Sequence, residues 1–305
     1  MSRRCRNTPP NSRQLPVPEP VQPFGARLRA AMDSRGALCV GIDPHPALLA
    51  GWELNDDAAG LERFSLTVLD AVGEHAAALK PQVALYERHG SAGLAVLEKL
   101  LAACADAGVL SIADAKRGDI GSTMAAYADA WLRDGSALAA DAVTLSPYLG
   151  FESLRPALDL AAGTGRGVFV LALTSNPEGA SVQHAGGGAG RSVAAGIAAA
   201  AAAENGTGTE CTADGGLGSV GLVVGATVGT ALTDLGIDLA ATRAPLLAPG
   251  LGAQGATAAD LAVTFGAAYP NVLATSSRGI LRAGPDPQKL REAALQTGRE
   301  LAAAG

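Results

Sequence analysis

Apolar positions along this chain follow two rhythms that take turns. Short continuous apolar runs read as strands covered on both faces, and longer stretches with apolar residues three and four apart read as amphipathic helices. The spacing predicts a helix over residues 24–35, closed by Gly36, then a strand over 37–42 that stops at Asp43-Pro44-His45-Pro46. A helix over 61–79 follows, with Leu61, Phe64, Leu66, Val68, Leu69 and Val72 on its inner side. Leu79-Lys80-Pro81 ends a second short strand, and the proline, having no N–H to give, is expected to stop regular pairing there. The alternation continues with helix 92–107 and strand 109–116, helix 123–134 and strand 141–146, helix 151–162 and strand 167–174. Helix 191–203 and strand 219–225, a short helix 226–235 and strand 245–248, helix 256–268 and strand 271–275 come next, and a helix over 286–303 closes the series.

Eight strands alternating with helices predict an α/β fold, a single (β/α)8 TIM barrel over residues 24–305. A doubly wound open sheet is the alternative, but no GxGxxG follows the first strand. Residues 1–23 carry Arg3, Arg4, Arg6 and Arg13 among many prolines without an apolar core, and read as a disordered tail or an upstream start, with a targeting role the lesser reading. The low-complexity stretch 204–218 lies between a helix and the next strand, the barrel face away from the chemistry, and reads as a mobile insertion. The glycine run 186–190 follows strand five on the active face and reads as a flexible lid.

Composition narrows the function. With aromatics at 4% and 39 glycines, small side chains must do much of the packing. A net charge of −6 and the lack of a basic stripe argue against nucleic acid and fit a cytoplasmic protein. No apolar run is long enough to span a membrane. The cysteines, Cys5, Cys39, Cys104 and Cys211, form no CxxC pair, and His45, His75, His89 and His184 form no ligand motif, so neither a disulfide frame nor a metal is implied.

The chemistry concentrates in Asp114-Ala115-Lys116-Arg117-Gly118-Asp119-Ile120-Gly121-Ser122-Thr123, where an apolar strand runs into a charge cluster. On a strand, Asp114 and Lys116 are two apart and share a face, while Asp119 lies beyond the turn and can reach elsewhere. Other strand ends add Asp43, Lys80, Thr174-Ser175-Asn176 and Ser276-Ser277-Arg278-Gly279, and strand seven opens into Pro249-Gly250-Leu251-Gly252-Ala253-Gln254-Gly255. Barrels commonly hold a phosphate in the loops after strands seven and eight; here Arg278 offers a bidentate cation and Gln254 a neutral donor.

This array resembles the signature of the orotidine 5'-phosphate decarboxylases in their longer bacterial form, together with Gly41-Ile42-Asp43-Pro44-His45-Pro46, Leu79-Lys80-Pro81, Thr174-Ser175-Asn176-Pro177-Glu178-Gly179 and Ser276-Ser277-Arg278-Gly279. The resemblance implies cofactor-free decarboxylation of orotidine 5'-phosphate to UMP, the last step of pyrimidine nucleotide synthesis, in a homodimer with shared sites. It implies that Lys116 protonates C6 as CO2 leaves beside Asp114, and that Asp119 and Thr123 arrive from the partner subunit. Lys80 and Asp43 would hold ribose hydroxyls, Ser175 the pyrimidine edge, and Pro249 the base. Gln254 would bridge base and phosphate, Ser277 and Arg278 would bind the phosphate, and Ile120 and Asn176 would complete the substrate contacts. A Schiff-base aldolase would need a lysine in apolar or cationic surroundings, whereas Lys116 has two aspartates nearby. A magnesium-dependent sugar-phosphate lyase and a non-catalytic phosphate-binding barrel are the remaining alternatives.

Overall fold

The computed structural model describes residues 22–186, 191–207, 216–252 and 255–305. Eight parallel strands close into one barrel in sequence order: β1 (Leu38–Ile42), β2 (Ala78–Pro81), β3 (Leu110–Arg117), β4 (Ala142–Leu145), β5 (Gly167–Leu173), β6 (Val220–Val224), β7 (Leu246–Pro249) and β8 (Val272–Ser276). Closure is made by β1 against β8, with Leu38 opposite Ala274 and Val40 opposite Ser276. The helices are α1 (Phe24–Arg35), α2 (Pro46–Gly51), α3 (Ala58–Val72), α4 (Ala84–Glu87), α5 (Gly90–Asp106), α6 (Gly121–Leu132) and α7 (Arg155–Thr164). After β5 come α8 (Ala180–Gln183), α9 (Val193–Thr207), α10 (Ala231–Asp234), α11 (Ala258–Phe265), α12 (Arg278–Leu281) and α13 (Pro287–Ala304). Among the described residues no helix is long and apolar enough to cross a membrane.

Two apolar layers hold this together. The larger lies between the outward faces of the strands and the surrounding helices. The smaller lies inside the barrel and takes one residue from every strand: Cys39, Ala78, Ile112, Ala142, Phe169, Val223, Leu247 and Leu273. Phe24, Leu28 and Met32 of α1 join this inner layer, so α1 plugs the amino-terminal mouth. The Phe24 ring meets Phe169 edge-on at 5.9 Å, and Gly167 must lack a side chain because a Cβ there would run into that ring. Arg27 fixes the plug by donating to Asp141 at 2.5 Å and to the Gly165 carbonyl at 2.9 Å.

Side chains alternate along a strand, so two residues onward the same inward face recurs. Those positions are Gly41, Lys80, Asp114, Thr144, Leu171, Gly225, Pro249 and Thr275. The barrel interior therefore turns polar one layer above its apolar floor.

The structure departs from sequence expectation at several elements. The long helix expected over 61–79 ends at Val72; a 3-10 turn over Gly73–His75 follows, and the alanines before Leu79 enter β2 as an extended segment. Alanine favours helix locally, but a strand place in a closed barrel overrides that preference. Pro81 remains in register opposite Ile42, while β2 pairs with β3 only at Ala78 and Leu79, before the proline. The expected insertion 204–218 begins inside α9, and its first residues are structural. Glu204 binds Arg155 at 2.7 Å, and buried Asn205 donates to the carbonyls of Val220 and Thr242 while accepting from Val220 N–H. Residues 208–215, the tail residues 1–21 and residues 187–190 of the glycine run lie outside the described residues.

Candidate active site

At the carboxyl ends of the strands a cavity of about 260 Å³ opens, lined by Asp43, Lys80, Gln82, Asp114, Lys116, Val223, Leu247, Pro249, Gly250, Leu251, Thr275, Ser277 and Arg278. Its centre is a chain of charges. Lys80 Nζ donates to Asp114 Oδ2 at 2.8 Å, and Lys116 Nζ to Asp114 Oδ1 at 2.5 Å. Lys80 and Asp114 are buried, whereas the Lys116 side chain is 45% exposed and faces the opening.

Burial alone would push the Asp114 carboxyl up, but Lys80 and Lys116 beside it prevail and hold it well below the usual carboxylate range. Burial alone would likewise drag the Lys80 ammonium down, yet Asp114 and Asp43 raise it above its ordinary value. Lys80 and Asp114 are thus both kept ionised although they are buried. Beneath it Cys39 is buried, and desolvation pushes its thiol up to about 12, so it serves as an inert floor. Asp43 Oδ1 is buried and has no hydrogen-bond partner among the described residues.

The aim of Lys116 comes from an irregularity in β3. Ala113 pairs with Val143 and Arg117 with Leu145, so Asp114, Ala115 and Lys116 together face the single residue Thr144. This bulge puts Lys116 at φ +49°, in the left-handed region that a lysine rarely adopts. Its backbone N–H, lost to the ladder, donates to Thr144 Oγ1 at 2.9 Å, and Thr144 Oγ1 donates in turn to Asp114 Oδ1 at 2.9 Å. On the outer side Arg117 spans the bulge: it donates to the Ala115 carbonyl at 2.9 Å, pairs with Glu87 of α4, and lies over the rings of Tyr127 and Trp131 of α6.

The opposite wall is made by the loop after β8. Ser277 and Arg278 line the cavity as α12 begins, and α12 is anchored by Trp52, whose indole N–H donates to the Leu281 carbonyl at 2.9 Å. Gly41 is required here, since a Cβ would overlap Ser277 Oγ. Pro249 closes β7 and accepts from the Ala226 N–H at 2.8 Å.

Of the residues singled out from sequence, Asp43, Lys80, Asp114, Lys116, Pro249, Ser277 and Arg278 converge on this one cavity. Five do not line it in the single chain. Asp119, Ile120 and Thr123 lie at the start of α6, with Asp119 Oδ1 accepting from Ile120 N–H and Ile120 exposed. Ser175 and Asn176 are exposed after β5, where Asn176 Oδ1 accepts from the Thr174 hydroxyl at 2.6 Å. Gln254 lies outside the described residues. The sequence reading missed Gln82, Val223, Leu247, Leu251 and Thr275 in the lining, and Thr144 behind it. Strand periodicity carries the signal for Thr144 and Thr275, each two residues beyond an inner apolar position.

Residues 36–293 match the orotidine 5'-phosphate decarboxylase / HUMPS family. An orotidine 5'-phosphate decarboxylase of Streptomyces coelicolor is 60% identical over 275 residues, covering 90% of this chain and 95% of that protein. A crystal structure from Streptomyces avermitilis is 60% identical and superimposes with a TM-score of 0.87, over 93% of this chain and 96% of that one. The OMP decarboxylase of Leishmania donovani, at 32% identity, gives a TM-score of 0.72 over 93% and 99% of the two chains. A parallel barrel with two lysines bracketing an aspartate at its carboxyl mouth, and this degree of identity along nearly the whole chain, lead to one assignment: the protein is an enzyme of the orotidine 5'-phosphate decarboxylase / HUMPS family.

Proposed function

We propose that the chain converts orotidine 5'-phosphate to UMP and CO2 with its own side chains, as a cytoplasmic homodimer at the end of pyrimidine nucleotide synthesis. The observation that carries this reading is the hydrogen-bonded Lys80–Asp114–Lys116 array in a cavity that Ser277 and Arg278 also line. The substrate phosphate binds at Ser277 and Arg278, with Gln254 bridging to the base. The pyrimidine lies against Pro249 with Ser175 and Asn176 at its edge, and the ribose hydroxyls meet Asp43 and Lys80. Asp119, Ile120 and Thr123 reach over from the partner subunit.

In this pose the carboxylate at C6 lies beside Asp114. Its C–C bond breaks, the electron pair stays on C6, and CO2 departs. The carbanion takes a proton from Lys116 Nζ, and the lysine regains one from solvent through its exposed side. A unit charge pair about 4 Å apart gains roughly 4 kcal/mol at an effective dielectric near 20. Enzymes lower barriers by about 8–23 kcal/mol, so one ammonium is not enough. The phosphate grip supplies the remainder by holding the carboxylate against Asp114. A Schiff-base mechanism fits less well, because Lys116 Nζ is committed to a carboxylate rather than set among apolar or cationic groups. A magnesium-dependent lyase fits less well, because the Asp114 carboxylate that would hold the cation is already taken by Lys80 and Lys116.

The test is loss of orotidine 5'-phosphate absorbance with purified protein in EDTA. Turnover by the parent chain, abolished in Lys116→Ala while UMP binding persists, is the expected result. No CO2 release by the parent chain, or a borohydride-trapped adduct on Lys116, would overturn the reading.

A further inference from the structure

We infer that Thr144 is a positioning residue for this reaction: its hydroxyl, wedged opposite the β3 bulge, sets the aim of both Lys116 and Asp114. The inference rests on the decarboxylase reading above, but the geometry that motivates it is independent of the substrate. Thr144 is 1% exposed and does not line the cavity, so it cannot touch the reacting atoms. It is the one β4 residue opposite three of β3. Its hydroxyl has a single proton, and that proton is committed to Asp114 Oδ1 at 2.9 Å. The lone pairs are then left to accept from Lys116 N–H, also at 2.9 Å.

Those two bonds have different consequences. The first leaves Asp114 Oδ1 with two donors, Thr144 Oγ1 and Lys116 Nζ, while Oδ2 takes Lys80, which fixes the carboxylate plane. The second gives the left-handed Lys116 backbone a partner that no β4 main-chain carbonyl supplies at that position. Without it the N–H would lose its partner, and β3 would relax toward a regular strand, swinging the Lys116 side chain. Valine, close to threonine in shape, would fill the same space and supply neither bond. Serine would supply both.

Kinetics on the full chain separate a positioning role from simple packing. Misplacing a catalytic group by about 1 Å costs on the order of 100-fold. Thr144→Val is therefore expected to lower kcat by about 10- to 100-fold with KM for orotidine 5'-phosphate changed less than about 3-fold. Thr144→Ser should keep kcat within about 3-fold of the parent, although its methyl group is gone. Full kcat in Thr144→Val, or equal losses in the valine and serine variants, would overturn the inference. Should Thr144→Val fail to fold, Thr144→Ala against Thr144→Ser gives the same comparison. An inactive parent chain would instead bring down the functional reading and this inference with it, whereas an active parent with an indifferent Thr144→Val brings down this inference alone.

Discussion

Asp114 carries the most at the level of single residues. Three donors converge on its two oxygens, so removing its charge strands Lys80 in a buried site. Asp114→Asn is expected to abolish measurable turnover and to destabilise the chain by about 3–5 kcal/mol near neutral pH, as when one partner of a buried pair is lost. The pH dependence has a definite sign. The depressed Asp114 carboxyl stabilises the fold above the unfolded value near about 4 and loses that contribution as pH falls through its lower folded value. The raised Lys80 ammonium stabilises below about 10 and loses its contribution as pH rises through its higher folded value. Thermal melts of parent and Asp114→Asn should therefore keep a constant gap from about pH 5 to about pH 9, narrowing in strong acid as Asp114 is protonated and again in strong base as Lys80 is deprotonated. A gap that closes near pH 6 would contradict the ionised array.

At the scale of elements, the bulged end of β3 is held from within by Thr144 and from outside by Arg117. Arg117→Ala removes a carbonyl bond, an ion pair and two ring contacts at once, and is expected to cost about 1–3 kcal/mol in urea unfolding with a drop in kcat. Asn205→Ala should cost a similar amount, because the carbonyls of Val220 and Thr242 and the Val220 N–H lose their buried partner, yet turnover should be unchanged. The contrast between these two variants separates local stability from aim. The charged strand ends were legible in the sequence because Asp43, Lys80, Asp114 and Lys116 are conspicuous where apolar runs stop. Thr144 was passed over although the strand period aims it inward, since threonine inside Ala142–Leu145 also reads as an ordinary strand former. Helices of four to six residues such as α2, α4 and α12 are too short to show a helical period, so the anchoring of Arg278 through Trp52 could not be read.

For the whole molecule, strand count, order and closure follow the alternation of patterns closely, because each strand of a barrel is covered on both faces and reads as one apolar run. What one chain cannot display is a site completed by another. Asp119, Ile120 and Thr123 sit at the start of α6, away from their own cavity, and their expected role depends on a second copy. Mixing Lys116→Ala with Asp119→Ala chains should restore part of the activity, up to about a quarter of the parent rate if dimers form at random and one intact composite site works alone. No recovery after demonstrated subunit exchange would refute shared sites.

The helix lodged in the amino-terminal mouth carries one more consequence. With Phe24, Leu28 and Met32 packed into the inner apolar layer, the barrel is closed at that end among the described residues. A small neutral gas set free at its dead end has no back exit, and must slip out past the nucleotide or wait for it to go. The far end of the molecule thus obliges both products of a decarboxylation to share one route, whichever of them leaves first.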